Sequence, residues 1–334
     1  MSKKVILISF AFSLVGLVAE FLMFVPVQEA VFPLLAEIQH LLSIVQIRTH
    51  GFLEYARVWQ GPRIGFPDVI CYLMLFAGAI LYRTSKRRET RLIRFVLSIV
   101  MMSNVLTILF SILMPSAFRS QFQVDLSLMG WILYGITLAK NAALAYFSYR
   151  VLQVLRAEKV LVTVQSGLPE EPILMLQEAS GPQRFTNALI DLIVCVLIFL
   201  PLGTQLVPEW LSRMEETFGS RNAVVILLVI ARTIYYILFE MTLAATPGKF
   251  MTETRVMDVD GDPAIPGLIV RRTLSRFIPF EPLSFFWNGL WHDNISYTRV
   301  VKEEQTGVDG TRYLLIFPAI VALGIILYNM DGIF

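Results

Sequence analysis

The chain has 334 residues, of which 56% are hydrophobic and 16% are charged, and its formal net charge is +2. A soluble protein carries nearer a quarter charged residues, and the apolar residues here fall in blocks of roughly twenty, the length that crosses a bilayer as a helix. This composition excludes a soluble globular domain. It predicts an all-α polytopic membrane protein with about seven transmembrane helices.

Cysteine and histidine are too few to support metal or redox chemistry. Cys71 and Cys195 lie inside apolar runs, and the three histidines are scattered without ligand spacing. The phosphate-binding pattern G-x-x-x-x-G-K-[ST] is absent, and no Ser-His-Asp grouping is visible. The sequence therefore predicts a protein that is not an enzyme and needs no metal or cofactor. No nucleic acid is expected among its partners.

Four apolar runs predict an N-terminal membrane unit over residues 1–150. The first run follows Lys3 and Lys4 but is too long for a cleaved signal peptide, so it is expected to be retained as a helix. A polar segment at 27–66 carries apolar residues at helical spacing, which predicts an interfacial helix near 31–47. Packing on other helices is favoured for it over binding a partner. The four predicted spans are Val5–Val25, Asp68–Leu81, Phe95–Met114 and Leu126–Ser148.

Residues 151–180 connect this unit to the C-terminal part of the chain. Val160–Val164 is rich in β-branched residues and predicts a short strand. The Gly-, Pro- and Glu-containing residues that follow, up to Gly181, predict an exposed polar linker. Upstream, Tyr82–Arg94 is a dense basic hairpin between the second and third spans.

The C-terminal unit, 181–334, is predicted to contain three spans and a large cytoplasmic insertion at 246–312. Within the insertion, Thr252–Asp262 alternates and then turns at Asp-Gly, which predicts a strand entering a hairpin. Arginines alternate with apolar residues from Ile265 to Phe280, as in a basic amphipathic helix at a membrane surface. The three predicted spans are Phe185–Leu206, Asn222–Ala245 and Tyr313–Tyr328.

Basic residues predict the orientation of the chain. With seven spans and a cytoplasmic N-terminus, the cytoplasmic segments hold 20 of the 28 Lys and Arg residues, the opposite loops hold 6 and the spans hold 2. Because positive charge accumulates on the cytoplasmic side, an N-in, C-out topology is predicted. The basic segments are expected to contact anionic head groups of membrane lipids.

Ionisable side chains recur inside the predicted spans, where each is costly. Lys140 and Arg232 lie about 15 Å from the nearest span boundary, and Asp191 and Glu240 lie roughly 10–13 Å deep on adjacent spans. The two carboxylates are therefore expected to approach one another and to retain a proton. Arg232, Tyr236 and Glu240 share one helix face, with Tyr236 or water needed to bridge the other two. This pattern predicts either an ion or proton relay or a structural polar network.

The turn T-P-G-K, Thr246 to Lys249, ends the sixth predicted span. Pro247 and Gly248 are predicted to end the helix. Lys249 is then expected at the negative end of the helix dipole and near lipid phosphate. Farther along, His292 and Asp293 are adjacent and are interpreted as a structural pair.

These motifs resemble the RDD family of bacterial membrane proteins over about 181–334. The family shows an Arg at the start of a span, an Asp within it, a T-x-G-K turn, V-x-D-x-D-G, an Arg-containing helix and a closing H-D-x-x-x-x-T-x-V-V. The four-span unit lies outside this pattern, and Asn294, Ser296 and Tyr297 stand where the family more often has small or apolar residues. The matching positions are Arg184, Asp191, Thr246, Gly248, Lys249, Val256 to Gly261 (with Asp260), Arg271 or Arg272, His292, Asp293, Thr298, Val300 and Val301.

The resemblance implies a multi-pass protein of the bacterial inner membrane, and monovalent cation/proton exchange has been proposed for some family members. Exchange or small-solute transport would then use Asp191, Glu240, Arg232, Tyr236 and Lys140 as its pathway. The alternative is a non-catalytic assembly or regulatory subunit that binds a membrane-protein partner through its N-terminal unit and cytoplasmic segment. Ion flux is required by the first hypothesis, and a stoichiometric partner by the second.

Overall fold

The chain divides into two compact units, Met1–Gln153 with Thr204–Pro208, and Val154–Gly203 with Glu209–Phe334. The predicted interfacial helix near 31–47 and the predicted last span, Tyr313–Tyr328, lie outside the residues that the structure describes. The described residues are mostly helical, as the sequence predicts. The structure, a computed structural model, describes residues 2–24, 66–113, 128–166, 173–196, 208–278 and 291–304.

The first unit is helical over its described residues. Helix α1 packs on α2, and α2 packs on α3. A Cβ at Gly16 would overlap the Tyr72 ring, so glycine allows α1 and α2 to approach closely. The basic stretch before α3 forms a turn in which the Glu89 carboxylate accepts from the backbone N–H of Arg91, the first residue of the helix, at 3.1 Å. The helices are α1 Ser2–Phe24, α2 Phe66–Thr84, α3 Arg91–Leu113 and α4 Leu128–Ala157.

The second unit alternates helices with short strands. In chain order its elements are β1 Thr163–Ser166, β2 Ile173–Leu176, α5 Gly181–Val194, α6 Pro208–Phe218, α7 Ser220–Leu243, α8 Pro247–Met251, β3 Thr254–Asp258, α9 Pro266–Ser275, α10 Trp291–Ser296 and β4 Thr298–Lys302.

Three described helices are long and apolar enough to cross a membrane, and they lie in both units. The apolar windows are Lys4–Phe21 in α1, Arg91–Leu109 in α3 and Ser220–Leu243 in α7. These helices agree with three of the predicted spans, while the count of seven and the N-in, C-out orientation stay predictions.

Local sequence explains where the helices of the second unit begin and end. Ser180 and Gln183 form a capping box at the start of α5. Ala244 adopts the left-handed conformation that ends α7. Thr246 then caps α8, with Pro247 in its first turn.

Strand β3 pairs with β4 rather than with a hairpin neighbour, so the predicted hairpin is wrong. The predicted turn does form, because the Asp258 carboxylate accepts from the backbone N–H groups of Asp260 and Asp262, and Gly261 has a φ of 90°. The chain then continues into α9, and Val256 lies opposite Val300 in an antiparallel pair about forty residues away in sequence. Burial of these valines favours the distant partner.

The described end of the predicted linker, residues 173–180, pairs with β1 and is hydrogen-bonded to β4, while residues 167–172 lie outside the described residues. β1 and β2 pair antiparallel, with β1 slightly later than the predicted Val160–Val164. The backbone N–H of Ala179 donates to Val300 O at 2.8 Å, and the N–H of Lys302 donates to Gln177 O at 2.8 Å. The chain before α5 therefore runs along the same strand that pairs with β3.

Candidate functional site

Asp191 on α5 anchors the T-P-G-K turn. Its carboxylate is buried and accepts from three donors: the Tyr235 hydroxyl at 2.7 Å, the Thr246 hydroxyl at 2.7 Å and the Gly248 backbone N–H at 2.8 Å. Two of these donors belong to the turn and the third belongs to α7. One side chain therefore connects α5, α7 and the start of α8.

Gly248 is required where the turn meets α5. A Cβ added there would overlap the carbonyl oxygen of Asn187 and would lie 2.9 Å from Oδ1 of Asp191. The Asn187 side-chain amide is itself hydrogen-bonded with the hydroxyl groups of Thr252 and Thr254. The turn and α5 are therefore packed backbone to backbone, and the small residue permits the Gly248–Asp191 hydrogen bond.

Glu240 lies near the end of α7 and is surrounded by cations. Its exposed fraction is 1%. Oε1 accepts from Lys249 Nζ at 2.9 Å and from Arg276 Nη2 at 2.9 Å, and Oε2 lies 3.4 Å from Arg272 Nε. These cations come from α8, from α9 and from the residue directly after α9, so the carboxylate joins three consecutive parts of the chain.

The aromatic ring of Tyr236 lies among three positive charges. Arg276 Cζ is 3.8 Å from the ring centroid, Arg232 Cζ is 5.6 Å away and Lys249 Nζ is 5.7 Å away. Arg232 therefore contacts Tyr236, and the same ring contacts two cations that bind Glu240. Such cation–π contacts strengthen where the cation is shielded from water.

A second buried cluster is centred on Asp293. Its carboxylate forms ion pairs with Arg184 and Arg272, and the Arg272 guanidinium also donates to the Thr298 hydroxyl at 2.6 Å. Nε2 of His292 is 3.2 Å from Oδ1 of Asp293. Because Arg272 contacts both Asp293 and Glu240, the two clusters form one charged network.

Burial controls the charge states at the edge of this network. Burial lowers the pKa of His292 well below its usual 6.5, and Arg272, Arg276 and Arg184 lower it further, so this imidazole is neutral near pH 7. Burial also lowers the pKa of Lys249 and outweighs the opposing effect of Glu240 and Asp191. The extra cations Arg276 and Arg272 act in the same direction as burial on Lys249.

A comparison with models of known protein families identifies the part of the chain that contains this network. Residues 179–332 match the model of the RDD family. The C-terminal segment belongs to the RDD family. No curated protein and no solved structure matches the chain. The match starts at Ala179, just before α5, and it leaves the N-terminal unit outside.

The structure brings most of the RDD motif positions into the charged network. Arg271 is exposed and lies over the Tyr297 ring at 5.3 Å, so Arg272 is the motif arginine that joins the network. Asp260 and Gly261 lie apart, in the turn after β3. Some motif residues lie in the charged network, and others lie in the T-P-G-K turn that is hydrogen-bonded to Asp191. Together they are Arg184, Asp191, Thr246, Pro247, Gly248, Lys249, Arg272, His292, Asp293 and Thr298.

The pathway residues predicted from sequence divide between the two units. Asp191, Arg232, Tyr236 and Glu240 lie in the unit that contains the RDD segment, while Lys140 is half-buried on α4 in the first unit. Asp191 and Glu240 each have their own set of donors. The expected proton sharing between these two carboxylates stays a prediction.

Two residues of the network were missed by sequence reasoning. Tyr235 donates to Asp191, whereas its neighbour Tyr236 is the residue predicted to share a helix face with Arg232 and Glu240. Arg276 was assigned only to an amphipathic helix at the membrane surface, yet it binds Glu240. The available signal was its position four residues after Arg272, a spacing that places two side chains on the same face of a helix.

Proposed function

We propose that the RDD segment of this membrane protein transports a small solute through the charged network around Glu240. The observation that carries the proposal is the position of Glu240, which is buried on the membrane-length helix α7 and held by Lys249 and Arg276. Ionisable groups within membrane helices are costly, and they usually mark a solute or ion path.

The sharing of partners within the network gives the site a way to respond to a solute. Lys249 contacts Glu240 and follows Gly248, whose N–H binds Asp191, while Arg272 contacts both Glu240 and Asp293. A change of charge at Glu240 therefore acts on both α8 and α9. Movement of α8 and α9 relative to α7 would couple binding of the solute to a change in the side of the membrane from which the site is accessible.

Small-solute transport fits the geometry better than monovalent cation/proton exchange. Lys249, Arg272 and Arg276 already lie within 3.4 Å of the Glu240 carboxylate. A further cation at this carboxylate would be repelled by all three. The proposal includes the seven-span, N-in, C-out arrangement in the bacterial inner membrane that the basic residues predict.

The second candidate function is that of a non-catalytic assembly or regulatory subunit. The observation that favours it is that the N-terminal unit lies outside the family match. Purification of the full chain in mild detergent would then yield a stoichiometric partner, and replacement of residues 27–66 would release it. A chain that purifies alone argues against this function.

Flux into proteoliposomes tests the transport proposal. Wild-type protein is compared with Asp191→Asn and with the double variant Glu240→Gln/Lys249→Met, which removes one charge of each sign. Arg213→Gln, an exposed residue on α6, is the control. Na⁺, K⁺, Li⁺, phosphate and small carboxylates are each tested with and without a proton gradient. Loss of flux in the first two variants alone supports the proposal, and equal flux in all four overturns it.

A further inference from the structure

Over the residues that the structure describes, the charged network holds more positive charge than its carboxylates balance. Its cations are Arg184, Arg232, Lys249, Arg272 and Arg276, and its buried carboxylates are Asp191, Glu240 and Asp293. Counting Glu178, which is 49% exposed and also binds Arg299, still leaves one cation in excess. Without Arg232, which is only half-buried, four cations still face the three buried carboxylates, and such an excess is costly unless another ion offsets it.

The excess is concentrated around Tyr236. Arg232, Lys249 and Arg276 all lie within 5.7 Å of this ring, and the Glu240 carboxylate that contacts Lys249 and Arg276 is shared with Arg272. Burial is the main cause of the lowered pKa of Lys249, and the neighbouring Arg276 and Arg272 oppose its charge in the same direction.

Arg276 has donor capacity that the described residues do not use. Its side chain is 10% exposed, and Nη2 donates to Glu240. Nη1 is buried and has no hydrogen-bond partner within the described part of the chain. A buried guanidinium N–H without an acceptor loses the free energy of a hydrogen bond to water, so this atom favours an incoming acceptor.

We propose that the cations around Tyr236 bind a phosphate-type oxyanion, with Arg276 Nη1 as a direct donor and Arg232 and Lys249 as further positive charges. This deepens the proposed function by naming the substrate class of the same network. Arginine forms paired hydrogen bonds with phosphate oxygens, and Lys adds a compact charge. The oxyanion can belong to a free phosphate or to a lipid head group, since the same donors would recognise both.

Binding by the full-length protein in phosphatidylcholine nanodiscs tests the proposal. One arm titrates inorganic phosphate by calorimetry at constant ionic strength, with chloride as the control anion. The other adds phosphatidic acid to the nanodiscs and counts retained lipid by native mass spectrometry. The variant is Arg276→Gln, and the matched control is Arg271→Gln, which removes the same charge from an exposed position on α9, five residues earlier in the chain. Arg232→Gln serves if Arg276→Gln does not fold.

Saturable binding in either arm, weakened about tenfold by Arg276→Gln and unchanged by Arg271→Gln, is the expected result. The responding arm identifies the oxyanion as free or lipid-borne. Lack of saturable binding in both arms, or equal weakening by both variants, overturns the proposal. Oxyanion binding without flux would overturn transport alone, and flux of another solute without oxyanion binding would overturn this inference alone.

Discussion

Nζ of Lys249 lies 2.9 Å from Oε1 of Glu240, and both side chains are buried. Arg276 shares the same oxygen at 2.9 Å. The turn at α8 and the residue after α9 are therefore attached to α7 through one carboxylate. Because a buried charge that loses its partner is far more costly than a solvated one, each member of this group depends on the others.

Removal of the Glu240 charge is expected to destabilise the protein strongly. Glu240→Gln should lower the free energy of unfolding by about 3–5 kcal/mol, because Lys249 and Arg276 lose their counter-charge. Adding Lys249→Met should recover part of this loss. Denaturant unfolding of the full chain in detergent, followed by circular dichroism, measures both effects.

The control for the Glu240→Gln and Glu240→Gln/Lys249→Met measurements is Arg299→Gln, since Arg299 is 49% exposed and pairs with Glu178. This substitution should change the free energy of unfolding by less than about 1 kcal/mol. Equal small changes for Glu240→Gln and Arg299→Gln would show that the buried ion pair does not form.

Gly248→Ala is expected to displace the T-P-G-K turn from α5. The added methyl group would overlap the Asn187 carbonyl and crowd Asp191, at a cost of about 1–3 kcal/mol. Gly267→Ala is the matched control, because a Cβ there has open space within α9, and it should stabilise by roughly 0.4–1 kcal/mol. Thermal unfolding should therefore move in opposite directions. A shift in the same direction for both would contradict the close packing at Gly248.

Arg272 and Arg271 are adjacent, and their substitution should have different effects. Arg272→Gln leaves Asp293 and Glu240 with one cation fewer in a buried site, so a loss of about 3–5 kcal/mol is expected. Arg271→Gln removes an exposed guanidinium from the Tyr297 ring and should cost under about 1 kcal/mol. Denaturation midpoints of the two variants give the comparison, and a larger effect at Arg271 would reverse the assignment of the motif arginine.

His292 predicts a specific dependence of stability on pH. Its pKa in the folded protein is well below the usual 6.5, so the unfolded chain binds a proton near pH 6 that the folded chain does not. Stability should therefore fall as pH decreases below about 6.5, by as much as 1.4 kcal/mol per pH unit from this group. His292→Gln should remove that part of the slope between pH 6.5 and 5. Identical slopes for the variant and the wild type would indicate a protonated His292 in the folded state.

Turns and helix faces could be predicted from the sequence, but most strand partners and ion-pair partners that are distant in the chain could not. The T-P-G-K turn could be predicted because Thr, Pro and Gly determine the local backbone within four residues. The shared face of Arg232, Tyr236 and Glu240 on α7 followed from helical periodicity. The partner of β3 was missed, since β4 is about forty residues away and strand partners depend on tertiary burial. The contact of Arg276 with Glu240 was missed for the same reason, because periodicity places Arg276 on a helix face without identifying the carboxylate opposite.

Solute flux in proteoliposomes, compared between wild-type protein and the folded Glu240→Gln/Lys249→Met variant, shows whether a solute crosses through the charged network. Transport through the network predicts saturable flux in the wild type and flux at the level of empty liposomes in the variant, with Arg213→Gln equal to the wild type. Unchanged flux in the double variant would contradict the account, because the solute would then cross without using the charges around Glu240.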